Sequence, residues 1–343
     1  MTAVSTPANS PLHARRRLRL PRSILAFPAW FWFLAFFAAP LGLVVFNSFG
    51  SKVPQSVGNV SMASPSLGRY REAFAHFDRM VTLRPSLAAY ARISYARELI
   101  GHQQAAVDAM KLALDAATGA PEAQAWTLVQ LGKLYWSHGQ IDAAARQYQA
   151  ALQTFPGYVY AYDALAQVEA ARAHLKRAIA LETRAVDTIP LPQFVASLGD
   201  MYRVSGQPRL AARQYALIGA IEKLLAANGV KTDLETALFD VDHGKQLKRA
   251  LARARIGQQN RPSIDGDDVL AWALERNGHC GEALRYSNHA LRLGTLDALK
   301  IFHRGMIQRC LGRTAEAKAS FAQALRLNPH FSLLYAPMAR RLS

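Results

Sequence analysis

Two hydrophobic patterns divide the chain. The first is a single unbroken apolar run: no side chain from Ser23 to Ser51 is charged, and residues 24–46 form its 23-residue centre. At about 1.5 Å per residue such a stretch crosses a hydrocarbon layer of roughly 30 Å, so it predicts one membrane helix over 23–47. Pro28 and Pro40 fall near its ends, and Trp30 and Trp32 suit the interfacial zone. The second pattern is a repeat. In "LGKLYWSHGQIDAAARQYQAALQTFP" the small and large positions are Leu131, Gly132, Tyr135, Gly139, Ala144, Tyr148, Ala151 and Pro156. Ala178, Ala185 and Pro190 follow Ala144, Ala151 and Pro156 at a spacing of 34, and Gly278 to Gly312 is again 34. A fixed period of this length means stacked copies of one unit, each burying a face that it cannot bury alone.

The register recurs at Leu198, Gly199, Tyr202, Gly206, Ala211 and Tyr215. Looser copies follow at Gly244, Ala250, Gly257 and Pro262, then at Leu270, Gly278, Ala283 and Ala290, then at Gly312, Ala317, Phe321, Ala324 and Pro329. Upstream, Gly101, Ala106, Met110 and Ala113 fit a copy followed by a four-residue insertion. Before that, Ala73, Phe77 and Pro85 hold the positions of a second half-unit over 69–84. Where its first half belongs stands "PQSVGNVSMASPSL", which reads as a linker. The array thus begins mid-unit.

Charge adds a direction. The chain carries 41 basic and 24 acidic residues, a net +17. No acid precedes Glu72, whereas Arg15, Arg16, Arg17, Arg19, Arg22, Lys52 and Arg69 do. An Arg-rich, acid-free start ahead of an apolar run suggests membrane targeting, with the N-terminus inside and the remainder outside the cytoplasm. A cleaved signal peptide, ending at the small-x-small Ser48-Phe49-Gly50, and a buried apolar helix are the alternatives.

The register of small and large residues resembles that of the tetratricopeptide repeat family over about residues 69–331. The resemblance implies an all-α fold: a right-handed α-solenoid of antiparallel helix pairs, one half repeat plus about seven repeats. In that family the first helix of each pair, helix A, lines a concave groove that holds a protein or peptide. Carried over by register, the groove residues would be Tyr95, Glu98, Trp126, Lys133, Trp136, Tyr160, Asp200, Arg203, Trp272, Glu275, Arg276, Phe302, Met306 and Arg309. Aromatic and Arg side chains are the usual anchors of binding energy, and Trp126 and Trp136 stand first because packing within their own unit does not require them. Consecutive repeats lack the Lys/Asn clamp with which some members of the family grip a C-terminal carboxylate.

The start of the chain has a second likeness. "RRRLRL…ILAFPAWFWFLAFFAAPLGLVVFNSFG…SPSLGRYREAF", about residues 14–74, resembles the opening of a polyamine-type ABC transporter permease. No second apolar stretch of 18 residues appears, and one helix makes no translocation path. An accessory or permease-derived component fused to a repeat domain is the alternative this implies.

Enzyme motifs are absent from the sequence, and no cofactor is expected. Three clusters of chemistry-bearing residues have blander readings. Asp240, Asp242 and His243 in "FDVDHG" fall at the end of a helix and its turn. Asp265, Asp267 and Asp268 in "SIDGDD" open a helix, where carboxylates suit the positive end of its dipole. Cys280 and Cys310, with His279 and His303, lack zinc spacing and read as ordinary packing; two cysteines make no disulfide framework. The basic stretch 245–255, "KQLKRALARAR", reads as a solvated helix face, with contact to anionic lipid or an acidic partner as the alternative. It has no interleaved aromatics, so nucleic acid is not expected.

The sequence therefore predicts a basic tail at 1–22, a membrane helix as signal anchor at 23–47, a linker at 48–68, a repeat solenoid at 69–331 and a capping tail at 332–343. The expected role is that of a non-enzymatic scaffold, bound to the membrane through 24–46 and to protein partners through its groove.

Overall fold

The computed structural model describes residues 70–343. The membrane helix, the linker and most of the permease-like segment lie outside the described residues. Among the described residues no helix is long and apolar enough to cross a membrane.

The described chain is all helix and turn, in seven antiparallel pairs flanked by a lone helix at each end. The order is α1 Tyr70–Leu83, α2 Leu87–Leu99, α3 Gln103–Asp115, α4 Pro121–Ser137, α5 Ile141–Thr154, α6 Val159–Ala171, α7 Leu175–Thr188 and α8 Pro192–Val204. It continues with α9 Pro208–Ala227, α10 Asp233–Asp242, α11 Leu247–Asn260, α12 Ile264–Arg276, α13 Cys280–Ala290, α14 Ala298–Cys310, α15 Thr314–Leu327 and α16 Ala336–Leu342. The even-numbered helices α2 to α14 are the A helices. Besides its own partner, an A helix touches the A helix of the next pair, as α4 does α6, α10 does α12 and α12 does α14. The A helices therefore form an inner layer, and α3 to α15 form the outer one.

The repeating small residues make this packing possible. Ala106, Ala144, Ala178, Ala211, Ala250, Ala283 and Ala317, one per outer helix at the same register position, are all buried. Gly132 on α4 faces the Tyr148 ring of α5 so closely that a methyl group there would overlap it. The turn between the helices of a pair needs a left-handed residue, and Gly139 supplies it with φ +70°. One unit later the same place is held by Ala173, which adopts φ +63°.

Successive turns of the superhelix lie against each other. The Tyr70 hydroxyl accepts from the Ile264 amide at 3.0 Å, 194 residues away. The Thr295 hydroxyl donates to the Leu99 carbonyl across 196 residues, and the Asn328 side chain donates to the Trp136 carbonyl across 192. This constant offset, divided by the 34-residue period, makes one superhelical turn about 5.7 repeats. The seam between the turns is built largely from 291–297, a non-helical stretch that follows the short α13. There the Gly294 carbonyl lies so near Gly101 that a Cβ on Gly101 would stand 2.6 Å from it.

The first helix is poorly covered: on α1 only Tyr70 is buried, and Leu83 is 73% exposed. The tail at 332–343, expected as a cap, does more. It packs into the C-terminal core and also runs along the inner layer.

Two sequence readings need correction. Cys280 and Cys310 form a disulfide between the start of α13 and the end of α14, their Cα atoms 6.0 Å apart. The helical stacking brings together positions that sequence spacing had left unrelated, at a separation normal for such a bond. The carboxylates of "SIDGDD" are also more than dipole partners. Ser263 caps α12 by accepting from the Gly266 amide, while each Asp meets a cation or His. Asp265 lies 2.9 Å from Lys300, Asp267 lies 3.1 Å from Arg292 and 2.7 Å from His289, and Asp268 lies 3.0 Å from His303.

Candidate functional site

The inner layer carries the residues that the repeat register assigned to a groove, and the structure sorts them into four settings.

In the C-terminal half they are buried. Trp272 and Phe302 are almost wholly covered, and Met306 is nearly so. The Trp272 indole donates to the Asp242 carboxylate at 2.8 Å and stacks on His303 with ring centres 4.5 Å apart. The covering group is the tail: Tyr335 stacks on Phe302 at 5.1 Å and meets Trp272 edge-on at 5.8 Å. Glu275 is half-buried beside this cluster, and burial raises its carboxyl above the ordinary range. Arg276 reaches over the Trp272 ring at 5.6 Å, whereas Arg309 is exposed.

A second group lines the seam. Tyr95, Glu98 and Trp136 border a cavity of about 300 Å³, together with Asp265, Asp297 and Lys300. Lys300 bridges Asp297 at 2.6 Å and Asp265 at 2.9 Å. Its single charge thus answers two carboxylates. Glu98 is pushed up to about 7, first by burial and then by the Asp297 charge, with Lys300 acting against them. Burial also raises the Tyr95 phenol.

In the middle of the layer Asp200 is occupied: Tyr215 donates to it at 2.6 Å and His243 lies 2.8 Å from the same oxygen. His243 is held above its usual pKa: burial lowers it, but Asp200, the Phe239 carbonyl and Asp242 together outweigh that effect. The "FDVDHG" cluster is thereby accounted for by packing, since Asp242 serves Trp272 and His243 serves Asp200. Among the described residues no group of three or more His, Cys, Asp and Glu side chains could hold a metal ion.

The last setting is the accessible one. Trp126 and Tyr160 are half-buried, as is Trp136 at the edge of the seam cavity, with Tyr160 edge-on to Phe194 at 5.7 Å, and Lys133 and Arg203 are exposed. Behind this stretch lies an acid pair that sequence reasoning missed. Asp163 and Glu182 sit on paired helices, and burial drives both carboxyls upward, Glu182 further because Asp163 is beside it. Their 19-residue separation corresponds to no motif, and only the pairing of α6 with α7 brings them together.

The basic stretch 245–255, which spans the turn before α11 and the first part of that helix, uses much of its charge within the fold. Arg253 lies 3.7 Å from both Glu222 and Asp240, Arg255 lies 3.4 Å from Glu282, and Lys245 caps the Tyr215 ring at 4.7 Å. Lys248 and Arg249 remain exposed.

Two stretches match the tetratricopeptide repeat family, residues 125–168 and residues 301–331. No curated protein matches the chain. Among solved structures, MamA is 19% identical, covering 46% of this chain and 91% of its own at a TM-score of 0.37. The Cut9–Hcn1 hetero-tetramer of APC/C is 18% identical over 80% of this chain, at a TM-score of 0.38, and this chain spans only 53% of the one it matches. A tetratricopeptide repeat protein from Parabacteroides merdae is 16% identical over 77% of this chain and 99% of its own, again at 0.38. Residues 125–168 and 301–331 match tetratricopeptide repeats, and residues 70–343 form an all-α solenoid of antiparallel helix pairs.

Proposed function

We propose that the protein is a non-enzymatic scaffold that holds a protein or peptide on its inner layer of A helices, tied to a membrane by 24–46 with the solenoid outside the cytoplasm. The observation that carries the binding reading is the accessible part of the inner layer, which combines half-buried Trp126, Trp136 and Tyr160 with exposed Lys133 and Arg203. Rigid helical surfaces with such anchors suit recognition, because little side-chain freedom is lost on binding.

The placement outside the cytoplasm draws support from the disulfide between Cys280 and Cys310, since such bonds persist in oxidising compartments. The anchor rests on the charge-free apolar run and the arginines before it. Exposed Lys248 and Arg249 leave α11 a modest anionic contact, with lipid or an acidic partner.

Partner capture by the full chain tests the binding reading. Trp126→Ala with Trp136→Ala should abolish capture while leaving helical content unchanged; capture at wild-type level would sink it. The anchor is tested by washing membranes with alkaline carbonate, after which release of the protein into the supernatant would refute it.

A further inference from the structure

Eight residues, 328–335, join α15 to α16 without regular structure. Their side chains are nonetheless placed with care. Phe331 meets Phe302 of α14 with ring centres 5.6 Å apart. Leu333 packs against the cluster of Ala166, Ala170 and Met201, contributed by α6 and α8. Tyr335 is 8% exposed, lies against α12 and α14, and its hydroxyl donates to the Asp242 carboxylate at 3.1 Å and to the Asp242 carbonyl at 3.0 Å. The segment thus reaches the inner faces of units three to seven. It has the attributes of a bound peptide: irregular backbone, side-chain anchors at spacings of two and four, and one buried hydrogen bond that fixes register.

We infer that Phe331–Tyr335 is an intramolecular occupant of the groove, and that the partner this surface fits is a short uncharged peptide of the same chemistry. Such a peptide carries an aromatic residue, an aliphatic one two places on and a tyrosine four places on, with the tyrosyl hydroxyl directed to Asp242. The inference rests on the scaffold reading and deepens it. An acidic or phosphorylated side chain is a poor occupant, because the acceptor at the end of the site is itself a carboxylate. A tethered segment competes at high effective concentration, so a partner binds only in proportion to the fraction of chains whose tail is released. Only the seven-residue α16 follows the segment, and the bonds local to it, in which the His330 amide donates to the Asn328 side-chain oxygen and the Tyr335 amide to the Ser332 hydroxyl, do not depend on the groove.

The test uses the full chain in detergent and a fluorescent peptide of the sequence 328–338, read by anisotropy. A variant with Phe331→Ser and Tyr335→Ser should bind the peptide at least ~10-fold more tightly than the wild type, as expected if the tail occupies the site in 90% or more of chains. Replacing the peptide's tyrosine by phenylalanine should weaken that binding several-fold. Equal affinity of the two chains, or no binding by a variant of unchanged helical content, overturns the inference. Should the variant lose helical content, hydrogen exchange on the wild type decides: amides of 332–343 should exchange at least ~10-fold faster than those of α15, and faster still with peptide added, and equal protection overturns the proposal. A variant that dimerises assigns the face to a second copy's tail and overturns the partner assigned here. If a captured partner is not displaced by the peptide, this inference fails while the scaffold reading stands; if neither chain captures any partner, the scaffold reading fails first.

Discussion

The side-chain amide of Asn328 donates to the main-chain carbonyl of Trp136 over 2.8 Å, although 192 residues separate them. Trp136 lies in the last turn of α4, in the first superhelical turn, and Asn328 follows α15 in the next, so this bond locks one turn to the other. Asn328 is almost wholly buried, and its own side-chain oxygen accepts from the His330 amide.

Asn328→Ala should therefore remove the bond across the seam, where the Trp136 carbonyl keeps the Gly139 amide, and leave the His330 amide without its partner, destabilising the fold by about 1–3 kcal/mol. Urea unfolding followed by circular dichroism measures it. A loss below a few tenths of a kcal/mol would mean that the turns are not coupled through this contact.

Glu98 predicts a pH dependence. Its carboxyl is raised from the usual 4.5 to about 7, chiefly by burial, so between those values the folded chain holds a proton that the unfolded chain has released. The stability this contributes is complete below about 4.5 and is lost as the pH rises toward 7. Glu98→Gln keeps the shape without the charge. Because the side chain is only partly covered at the edge of a cavity, the full linkage value is discounted, and the variant should gain roughly 1–2 kcal/mol over wild type at pH 8 and nothing at pH 4. A gain equal at both pH values would refute the assignment.

Ala173 stands at the left-handed turn that Gly139 occupies one unit earlier. An L side chain there costs roughly 1–2 kcal/mol, part of which is returned by the stiffer unfolded chain. Ala173→Gly should raise stability by about 0.5–1 kcal/mol, and thermal unfolding would show it. A lowered midpoint would indicate that the alanine methyl makes a contact worth more than the strain.

The disulfide closes 30 residues between Cys280 and Cys310. Constraint of an unfolded loop of that length is worth about 3.6 kcal/mol in the chain-entropy model. Reduction, or Cys280→Ser with Cys310→Ser, should lower the unfolding midpoint of the C-terminal units. An unchanged midpoint would remove both the stabilising role and the support it lends to an oxidising location.

Much of the fold was legible in the sequence because one spacing carries it. Gly132, Ala144 and Tyr148 announce a close pair of helices, and repetition at 34 residues places seven such pairs and the half-unit at 69–84. Local sterics decide these elements, and local sterics are written in adjacent residues. Transferring the groove register located the inner layer, yet it could not distinguish Trp126, half-buried and accessible, from Trp272, sealed under Tyr335.

What only the tertiary structure decided are the contacts between residues far apart in the chain. The superhelix turns once in about 5.7 repeats, which brings Tyr70 to Ile264, Leu99 to Thr295 and Trp136 to Asn328. That pitch is the sum of many small rotations between neighbouring pairs, none of them encoded in a single motif. The disulfide, the Asp163–Glu182 pair, the elevated Glu98 and the tail lying along the groove all follow from it or from helix pairing. Their chemistry arises from proximity and burial, which a linear pattern does not record.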